Sequence, residues 1–424
     1  MIETLPFTFV HTADLHLDSP FEGIHAVEPR IAAALRQATF KAFDHVIELA
    51  VRERADFLIV SGDVYDGADR SLLAQLRFRD GLKRAVDRGV KCFVAHGNHD
   101  PLSGWEARLS LPDGVHRFAG QEVEEVVVRR DGRPLARLHG ISYPVSQVRQ
   151  NLASGYRRGD PSPFAIGVLH CNLGGNPAHD NYAPCTVEDL MAAGLDYWAL
   201  GHFHARQIVR EQSPAIIYPG NTQGRSVREL GPRGCYLVRV DETGGVHPEF
   251  VATDAVRWFH QEIDLSPLGA LEELLDRLHQ TREEARAEAE GRGAVLRLSL
   301  TGRGELHREL KRPDAESDLA LKLREGEADR ADFVWTETVE NRSRPPLDLE
   351  QRRQVQDFVG DFLNAAQEIR SAEDPGSLLR QLLAARPEHR VIAQELAGLE
   401  DETLLAILSE AETLGLDLLL PEEE

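Results

Sequence analysis

Ten side chains in the first half of the sequence could bind metal ions or transfer protons. They form five short groups that combine carboxylates, imidazoles and one amide: Asp14, His16, Asp63, Asp66, Asn98, His99, Asp100, His170, His202 and His204. Imidazole and carboxylate together, without thiolate, suit manganese, iron or zinc better than calcium. A carboxylate shared between two ions is the usual way to hold them about 3.5 to 4 Å apart. These residue types therefore indicate a two-metal site.

Each of the five groups stands at the end of a short apolar run. The runs are FTFVHTADLH, DFLIVSGD, KCFVAHGNHD, PFAIGVLHCN and LDYWALGHFH. Each run is typical of a buried strand of about four to six residues. Open α/β sheets place their sites at the carboxyl ends of strands, because the loops there converge on one crevice. We therefore expect five loops to bring these side chains to one place.

Amphipathic segments separate the first three strands and predict helices, the first with Pro29 at its N1 position. This alternation is typical of a layered α/β fold. Turn signals at Asp131-Gly132 and at Thr243 to Gly245 stand between runs rich in β-formers. They predict two hairpins that extend the sheets.

The pattern changes near Arg257. A strand, a charged helix and two further strands predict a small α+β domain, and the chain becomes helical after Pro346. We expect three parts: residues 1–255, 256–344 and 345–424. The acidic helical part is interpreted in two ways, as helices packed on the body or as a docking module for a partner.

The charge of the chain argues at first against a nucleic-acid partner, since Lys and Arg dominate affinity for phosphates. The 424 residues include 48 Lys and Arg against 70 Asp and Glu, a net charge of -22. Residues 256–424 hold 21 basic and 38 acidic residues, which leaves only -5 of the -22 for residues 1–255. The first part of the chain is therefore close to neutral.

Membrane insertion and secretion are not expected. No run approaches eighteen consecutive apolar residues, and MIETLPFTFV lacks the features of a signal peptide. Cys92, Cys171, Cys185 and Cys235 include no CxxC pair. A reducing cytoplasm fits this cysteine usage best.

Taken together, the motifs resemble the complete signature of the calcineurin-like metallophosphoesterases. The motifs are DLH at 14–16, GDVYD at 62–66, GNHD at 97–100, His170 and GHFH at 201–204. The resemblance covers about residues 7 to 255. Within that superfamily, HTADLHLDSPF, GDVYDGAD and GNHDP are most similar to bacterial DNA repair exonucleases of the SbcD and YhaO type. The later stretch YPGNTQGRSVRELG resembles the YhaO branch more.

The resemblance implies a fold and a set of ligands. The fold is a four-layer αββα sandwich with a small α+β capping domain and a C-terminal helical segment. By resemblance, one divalent ion is held by Asp14, His16, Asp63 and His204. The other is held by Asp63, Asn98, His170 and His202. Asp63 is then the bridge, the expected metal is Mn²⁺, and a metal-bridging hydroxide attacks the phosphorus in line.

By the same resemblance, His99 is catalytic rather than a metal ligand. It is expected to face the scissile phosphate and to protonate or stabilise the leaving oxygen, with Asp66 orienting it. Protein Ser/Thr phosphatases follow that aspartate with a phosphate-binding arginine, whereas this sequence has Gly67. This difference weakens the hypothesis that the substrate is a phosphoprotein. Arg70 is a candidate to replace the missing arginine.

The leading hypothesis is a manganese-dependent DNA exonuclease in DNA repair, with an SbcC-like coiled-coil ATPase as its partner. A homodimer is left open. One alternative is a phosphodiesterase or phosphatase for small molecules such as cyclic nucleotides, because one metal centre serves many substrates. Another is a non-catalytic scaffold for an ATPase, although a scaffold has no chemical need for His99 beside seven ligands.

The sequence leaves the substrate-binding residues unknown. If the substrate is DNA, its phosphates need a local positive field. Six arginines of the first part are candidates for that field: Arg129, Arg130, Arg133, Arg149, Arg157 and Arg158. Spacing alone does not show that they share a face, so a solvated surface is the competing interpretation.

Overall fold

The computed structural model describes residues 5–19, 21, 28–67, 71–107, 109–159, 164–175, 181–385 and 399–420. The strands are β1 (Phe7–Thr12), β2 (Phe57–Ser61), β3 (Lys91–Ala95), β4 (Val115–Arg117), β5 (Glu124–Arg130), β6 (Arg133–Gly140), β7 (Phe164–His170), β8 (Tyr197–Gly201), β9 (Gln207–Arg210), β10 (Ala215–Tyr218), β11 (Gly234–Val240), β12 (Val246–Ala252), β13 (Val256–Asp264), β14 (Gly293–Thr301) and β15 (Val334–Asn341). The α-helices are α1 (Pro29–Arg52), α2 (Leu72–Val86), α3 (Val187–Ala192), α4 (Leu271–Glu288), α5 (His307–Leu310), α6 (Ala315–Arg324), α7 (Leu349–Arg353), α8 (Phe358–Arg370), α9 (Pro375–Ala384) and α10 (Asp401–Leu419).

Two six-stranded sheets position the site. Their strand orders are β12-β11-β1-β2-β3-β4 and β5-β6-β7-β8-β10-β9, and a third sheet has the order β13-β14-β15. Strands β1, β2 and β3 are parallel to one another, as are β6, β7 and β8. Both hairpins predicted from turn signals are present, as β5–β6 and β11–β12. Parallel neighbours place their carboxyl ends at the same edge of each sheet.

The two sheets pack face to face through aromatic side chains. Phe9 and Phe57 stack with their ring centroids 5.0 Å apart, and Tyr197 of the second sheet meets Phe9 edge-on at 5.2 Å. Helices α1 and α2 bury Phe43 and Phe78 on the outer face of the first sheet. Helix α3 packs on the outer face of the second sheet. The predicted four-layer αββα sandwich is therefore confirmed.

Helix α1 begins as its sequence predicts. Pro29 occupies N1, and the Glu28 carboxylate accepts hydrogen bonds from the backbone N–H groups of Arg30 and Ile31. These contacts satisfy two backbone donors that have no partner within the helix. Proline costs nothing there, because its missing N–H would be unpaired anyway.

The chain divides into two compact units. The first contains residues 1–261, 279–297 and 320–338, and it includes both six-stranded sheets. In this unit Trp258, Phe333 and Trp335 form a buried cluster with Ile31 of α1. The second unit contains residues 262–278, 298–319 and 339–424. In it, α8 and α10 pack through Leu363 and Leu416.

The division at residues 255 and 344 stays a prediction. Among the described residues, no helix combines the length and apolar character that a membrane span requires.

Candidate metal centre

Loops after five strands meet at one edge of the sandwich, where the backbone ties them together. The N–H groups of Asp14 and His16 donate to the carbonyl oxygens of Gly62 and Asp63, each at 3.1 Å. Across the two sheets, the N–H of His202 donates to the Asp14 carboxylate at 3.1 Å. The ends of β1, β2 and β8 are thereby fixed relative to one another before any metal binds.

Four of the residues implied as metal ligands have left-handed backbone conformations. Their φ values are 51° at Asp14, 42° at His16, 50° at Asp63 and 112° at His202. Each such conformation costs about 1 to 3 kcal/mol in a residue other than glycine and persists only where its surroundings impose it. Strain of this kind concentrates at functional sites, and here the hydrogen bonds between loops maintain it.

Glycine is required at two positions of the motifs, because neighbouring atoms approach the backbone too closely for a side chain. A Cβ atom at Gly62 would lie 2.4 Å from Nδ1 of His170, and one at Gly201 would lie 2.0 Å from the carbonyl oxygen of Ser61. Neither position tolerates a side chain without movement of the neighbouring strand end. The glycines that precede Asp63 and His202 therefore let the two sheets converge on the site.

The structure brings the donor atoms into three overlapping groups, in each of which the atoms lie within 4.8 Å of one another. The groups are Asp14–His16–His204, Asp14–Asp63–His170 and His16–Asp66–His99. Nε2 of His16 is 3.0 Å from Nε2 of His204, and Nε2 of His170 is 3.3 Å from Oδ2 of Asp63. The first two groups share Asp14, so together they form one continuous site.

Asn98 and His202 complete the set implied by the resemblance. The amide oxygen of Asn98 lies 3.0 Å from Nε2 of His170. His202 is buried, with its ring centroid 5.2 Å from that of His170 and 6.2 Å from that of Tyr182. Its side chain borders the site without belonging to the three close groups.

The donor set fits divalent transition-metal ions, because an oxygen faces the outer nitrogen of three histidines, through a hydrogen bond at His170 and His204 and through an ion-pair contact at His16. The Nδ1 atoms of His16, His170 and His204 lie 2.9, 3.0 and 2.6 Å from Asp66, the Ser61 carbonyl and Glu229 respectively. An Nδ1–H donated outward leaves the Nε2 lone pair directed into the cluster, which is the tautomer a metal requires.

Burial and mutual attraction set the charges of the site. Burial raises the pKa of Asp14 to about 6 and lowers that of His16 to about 4. Burial opposes charge on both Asp63 and His170, but their mutual attraction and hydrogen bond prevail. The pKa of Asp63 is therefore well below its usual value, and that of His170 is about 10. Asp63 and His170 thus compensate each other's charge in this buried site, and a divalent cation would take the place of the proton on Nε2 of His170.

His99 lies at the open side of the cluster. Its side chain is 44% exposed, and its backbone N–H donates to Oδ1 of Asp63 at 3.0 Å. Nδ1 of His99 is 3.6 Å from Oδ1 of Asp66, which is longer than a hydrogen bond. The same carboxylate is 2.9 Å from His16 and accepts a 2.7 Å hydrogen bond from the hydroxyl of Ser19. Asp66 therefore supports an implied metal ligand as well as facing His99.

Asp100 has a structural position. Its carboxylate accepts hydrogen bonds from the backbone N–H groups of Val64 and Gly97 at 2.9 and 2.7 Å, and Oδ2 is 2.7 Å from Nδ1 of His96. This side chain joins the loops after β2 and β3. It fixes the loops that carry Asp63 and Asn98.

Two charged residues next to the cluster were not predicted from the sequence. Glu229 holds His204, and Nη1 of Arg225 lies 3.2 Å from Asp66 and 2.7 Å from the hydroxyl of Ser19. Both belong to the stretch RSVREL, which carried part of the family resemblance but no expected role. The i, i+4 spacing of Arg225 and Glu229 was the available signal, although spacing could not show what they contact.

Gly67 stands where protein Ser/Thr phosphatases have a phosphate-binding arginine, and the structure places a different arginine near Asp66. No atom of the described residues lies within 4 Å of a Cβ atom built at Gly67, and Arg70 lies outside the described part of the chain. Arg225 supplies a guanidinium beside Asp66 from a distant part of the chain. A guanidinium therefore lies beside Asp66, although the residue that follows Asp66 is a glycine.

Five of the six arginines that were candidates for a positive field lie away from the site, which favours the competing interpretation of a solvated surface for them. Arg130 pairs with Asp56, which precedes β2, and Arg158 pairs with Asp196, which precedes β8. Arg129, Arg133 and Arg157 are their chain neighbours. The metal ligands follow the carboxyl ends of β2 and β8, so these arginines lie at the opposite end of the sheets. Arg149 lines a cavity with Tyr182 near His202.

Comparison with known proteins assigns the family. Residues 7–206 match the family described as calcineurin-like phosphoesterase, and residues 258–344 match the middle domain of metallophosphoesterase YhaO. The chain is 40% identical over 329 residues to metallophosphoesterase YhaO of Bacillus subtilis, an alignment that covers 77% of this chain and 80% of the relative. The chain belongs to the YhaO family of calcineurin-like metallophosphoesterases. Members of this superfamily hydrolyse phosphoesters and bind two divalent metal ions.

More distant relatives of this YhaO-family chain have names connected with DNA. The DNA double-strand break repair protein Mre11 of Aeropyrum pernix is 28% identical over 249 residues, 55% of this chain and 58% of the relative. A component of the nuclease SbcCD of Bacillus subtilis is 23% identical over 260 residues, 52% of this chain and 63% of the relative. The chain therefore spans less than two thirds of the length of either.

Proposed function

We propose that this chain is a manganese-dependent DNA exonuclease that hydrolyses phosphodiester bonds during DNA repair. The observation that carries the hydrolytic part is the arrangement of His16, His170 and His204, whose Nδ1 atoms face oxygen acceptors and whose Nε2 atoms face the cluster. The names of the Mre11 and SbcCD relatives support DNA as the substrate.

We propose that the protein has two metal sites that share Asp63, as the family pattern implies. Asp14, His16 and His204 would hold one ion, and Asn98, His170 and His202 the other, with Asp63 between them. When bound, two divalent cations supply an activated nucleophile and neutralise charge on the phosphoryl oxygens. Carboxylate and imidazole donors without thiolate support manganese as the metal.

In this proposal the general acid is a side chain of the protein, His99. His99 is half exposed at the open side of the cluster, where its imidazole can reach an oxygen of a bound phosphodiester. As imidazolium it would donate a proton to the leaving 3′ or 5′ oxygen as the P–O bond breaks. Asp66 would orient the imidazole of His99, while it also contacts Nδ1 of His16.

The test is a substrate panel with metal-loaded protein. Purified chain with Mn²⁺, Mg²⁺ or Zn²⁺ is given end-labelled DNA, closed circular plasmid, cyclic nucleotides and a nitrophenyl phosphodiester. We expect mononucleotide release from DNA ends with Mn²⁺ and little nicking of the plasmid. Turnover of the small substrates alone would instead support a small-molecule phosphodiesterase. No turnover of any substrate by metal-replete protein would support a scaffold.

An ATPase partner is part of the proposal. The SbcCD relative is named as one component of a nuclease that has more than one. In the second unit, three large apolar side chains are strongly exposed: Phe358, Leu414 and Leu418, at 71%, 61% and 78% of their surface. We propose that a coiled-coil ATPase of the SbcC type covers them.

Copurification with such an ATPase tests this partner. We expect Phe358→Asp with Leu418→Asp to abolish the complex without changing cleavage by the free chain. Self-association of the chain that the double substitution removes would indicate a homodimer instead.

A further inference from the structure

A groove opens beside the metal centre on the His204 side, entirely within the first unit. Its cavity of about 430 Å³ is lined by His204, Ala205, Ser226, Glu229 and three arginines, Arg225, Arg228 and Arg233. A second cavity of about 180 Å³ shares His204, Ala205 and Arg233 with it and adds Arg206 and Phe250 to the wall. The two cavities therefore form one continuous surface that starts at an implied metal ligand.

Two of the four arginines are held in place by neutral or aromatic neighbours. The guanidinium of Arg233 donates to the carbonyl oxygen of His204 at 2.6 Å and to the side-chain oxygen of Asn221 at 3.2 Å. The guanidinium of Arg206 lies 4.0 Å from the ring centroid of Phe250 and donates to the carbonyl oxygen of Pro232 at 3.2 Å. Such contacts fix a side chain without neutralising its charge.

The charge of the groove is opposite to that of the chain. Glu229 is the one acid among the described lining residues, and it is largely buried against His204 and Arg225. Four arginines and one engaged acid therefore line the groove in a chain whose net charge is -22, and Arg225 also contacts Asp66 beside it. A cationic groove against an anionic background would concentrate a polyanion at this edge of the sandwich.

The positions of the four arginines relative to the cluster suggest what the polyanion is. Arg225 contacts Asp66, which faces His99, and it can therefore meet a phosphate next to the reacting one. Arg206 and Arg228 are exposed and line the two cavities. Several cations lining one groove beside the cluster match a chain of phosphates better than a single phosphate group.

We propose that Arg206, Arg225, Arg228 and Arg233 form the binding groove for the phosphodiester backbone of the DNA strand beside the scissile bond. This inference rests on the proposed function and deepens it. Arg225 and Arg233 also hold Asp66 and the loop of His204, whereas Arg206 and Arg228 are exposed and make no ion pair among the described residues. These two exposed arginines are the ones to test.

The double variant Arg206→Ala with Arg228→Ala removes two positive charges from the groove. We measure its binding to a fluorescent duplex with a phosphorothioate backbone, using Mn²⁺-loaded protein from 50 to 400 mM salt. Each lost phosphate contact should lower the slope of log Kd against log salt by about one, so the slope should fall by about two. Affinity at the lowest salt should fall at least about 10-fold.

Arg129→Ala with Arg133→Ala is the matched control, because it removes two exposed arginines from the far end of the sheets. Arg206→Lys with Arg228→Lys keeps the charge and should retain most of the salt slope. If the alanine variant matches the control in affinity and salt slope, the proposal that this groove binds DNA is wrong, even if wild-type protein cuts DNA. Wild-type protein that neither binds nor cuts DNA would overturn the proposed function and the groove together.

Cleavage gives a second readout. The kcat/KM of the alanine variant should fall more for end-labelled DNA than for a nitrophenyl phosphodiester, because the small substrate reaches only the metal centre. Equal losses on both substrates would show that the arginines support the cluster rather than the DNA strand, and would contradict the proposal.

Discussion

Glu229 holds His204 from the outside of the metal cluster, with Oε1 of the carboxylate 2.6 Å from Nδ1 of the imidazole. Burial disfavours the carboxylate, but its hydrogen bond to His204 and the nearby positive charges lower the pKa of Glu229 to about 2. The same partner keeps the pKa of His204 above its usual value despite burial. An ionised carboxylate behind a histidine increases the basicity of the imidazole as a ligand.

Replacing Glu229 with Gln should weaken metal binding by about 10- to 100-fold, since loss of such an outer partner has effects of that size. Isothermal titration of metal-free protein with Mn²⁺ measures the affinity. Asp241→Asn is the matched control, because Asp241 lies 2.9 Å from His247 in an exposed pair after β11, far from the cluster. Equal affinities of the two variants would refute the role of Glu229.

Substitution of Asp63 should reduce binding of both metal ions, whereas substitution of His204 should remove only one. Asp63 touches His170 and the backbone of His99, and it is the proposed bridge, whereas His204 joins only the group with Asp14 and His16. We expect elemental analysis of Mn²⁺-loaded protein to give close to two ions per chain for the wild type, one for His204→Ala and fewer than one for Asp63→Ala. One ion in the wild type would contradict the bridged arrangement.

The strands of the first domain and the positions of their ends could be predicted from this sequence because local patterns encode them. Apolar runs of strand length ended in polar groups, and parallel strands must bring their carboxyl ends together. What joins the ends could not be predicted. The hydrogen bond from the His202 N–H to the Asp14 carboxylate connects positions 188 residues apart, and no local pattern contains that pairing.

The supporting residues were missed for the same reason. Asp66 was expected to orient His99, and no local pattern indicated that it would lie closer to His16 and Ser19. The candidate arginines show the converse error, because residues of the expected type lie away from the site. Arg130 and Arg158 are basic and belong to the right domain, but their acidic partners precede strands whose other ends carry the site. Composition cannot distinguish one end of a strand from the other.

His99→Gln should keep both metals and lose most of its turnover. Its side chain is absent from the two groups that contain Asp14, and a general acid contributes about 10²- to 10⁴-fold to rate. The measurement is kcat for DNA at saturating Mn²⁺ alongside elemental analysis. His116→Gln is the control, since His116 lies on β4 and contacts Glu124 rather than the cluster. Full activity in metal-replete His99→Gln would remove His99 from the mechanism.

A buried histidine between the sheets should make the stability of the fold depend on pH. His11 is fully buried, with its ring nitrogens 2.9 Å from the hydroxyl of Tyr197 and 3.2 Å from the carbonyl oxygen of Leu200. Burial lowers the pKa of His11 to about 3, although its hydrogen bond to Leu200 acts in the opposite direction. The unfolded chain, with an ordinary histidine pKa of about 6.5, therefore binds a proton that the folded chain excludes between about pH 6.5 and 3.

Stability should consequently fall as pH decreases below about 6.5, by about 1.4 kcal/mol per pH unit from His11 alone. Urea unfolding of metal-free protein between about pH 7.5 and 5.5 measures this slope. His11→Gln keeps one donor and one acceptor but does not titrate, so its slope should be smaller than that of the wild type by about that amount. Identical slopes for His11→Gln and the wild type would show that His11 does not exclude its proton in the folded state.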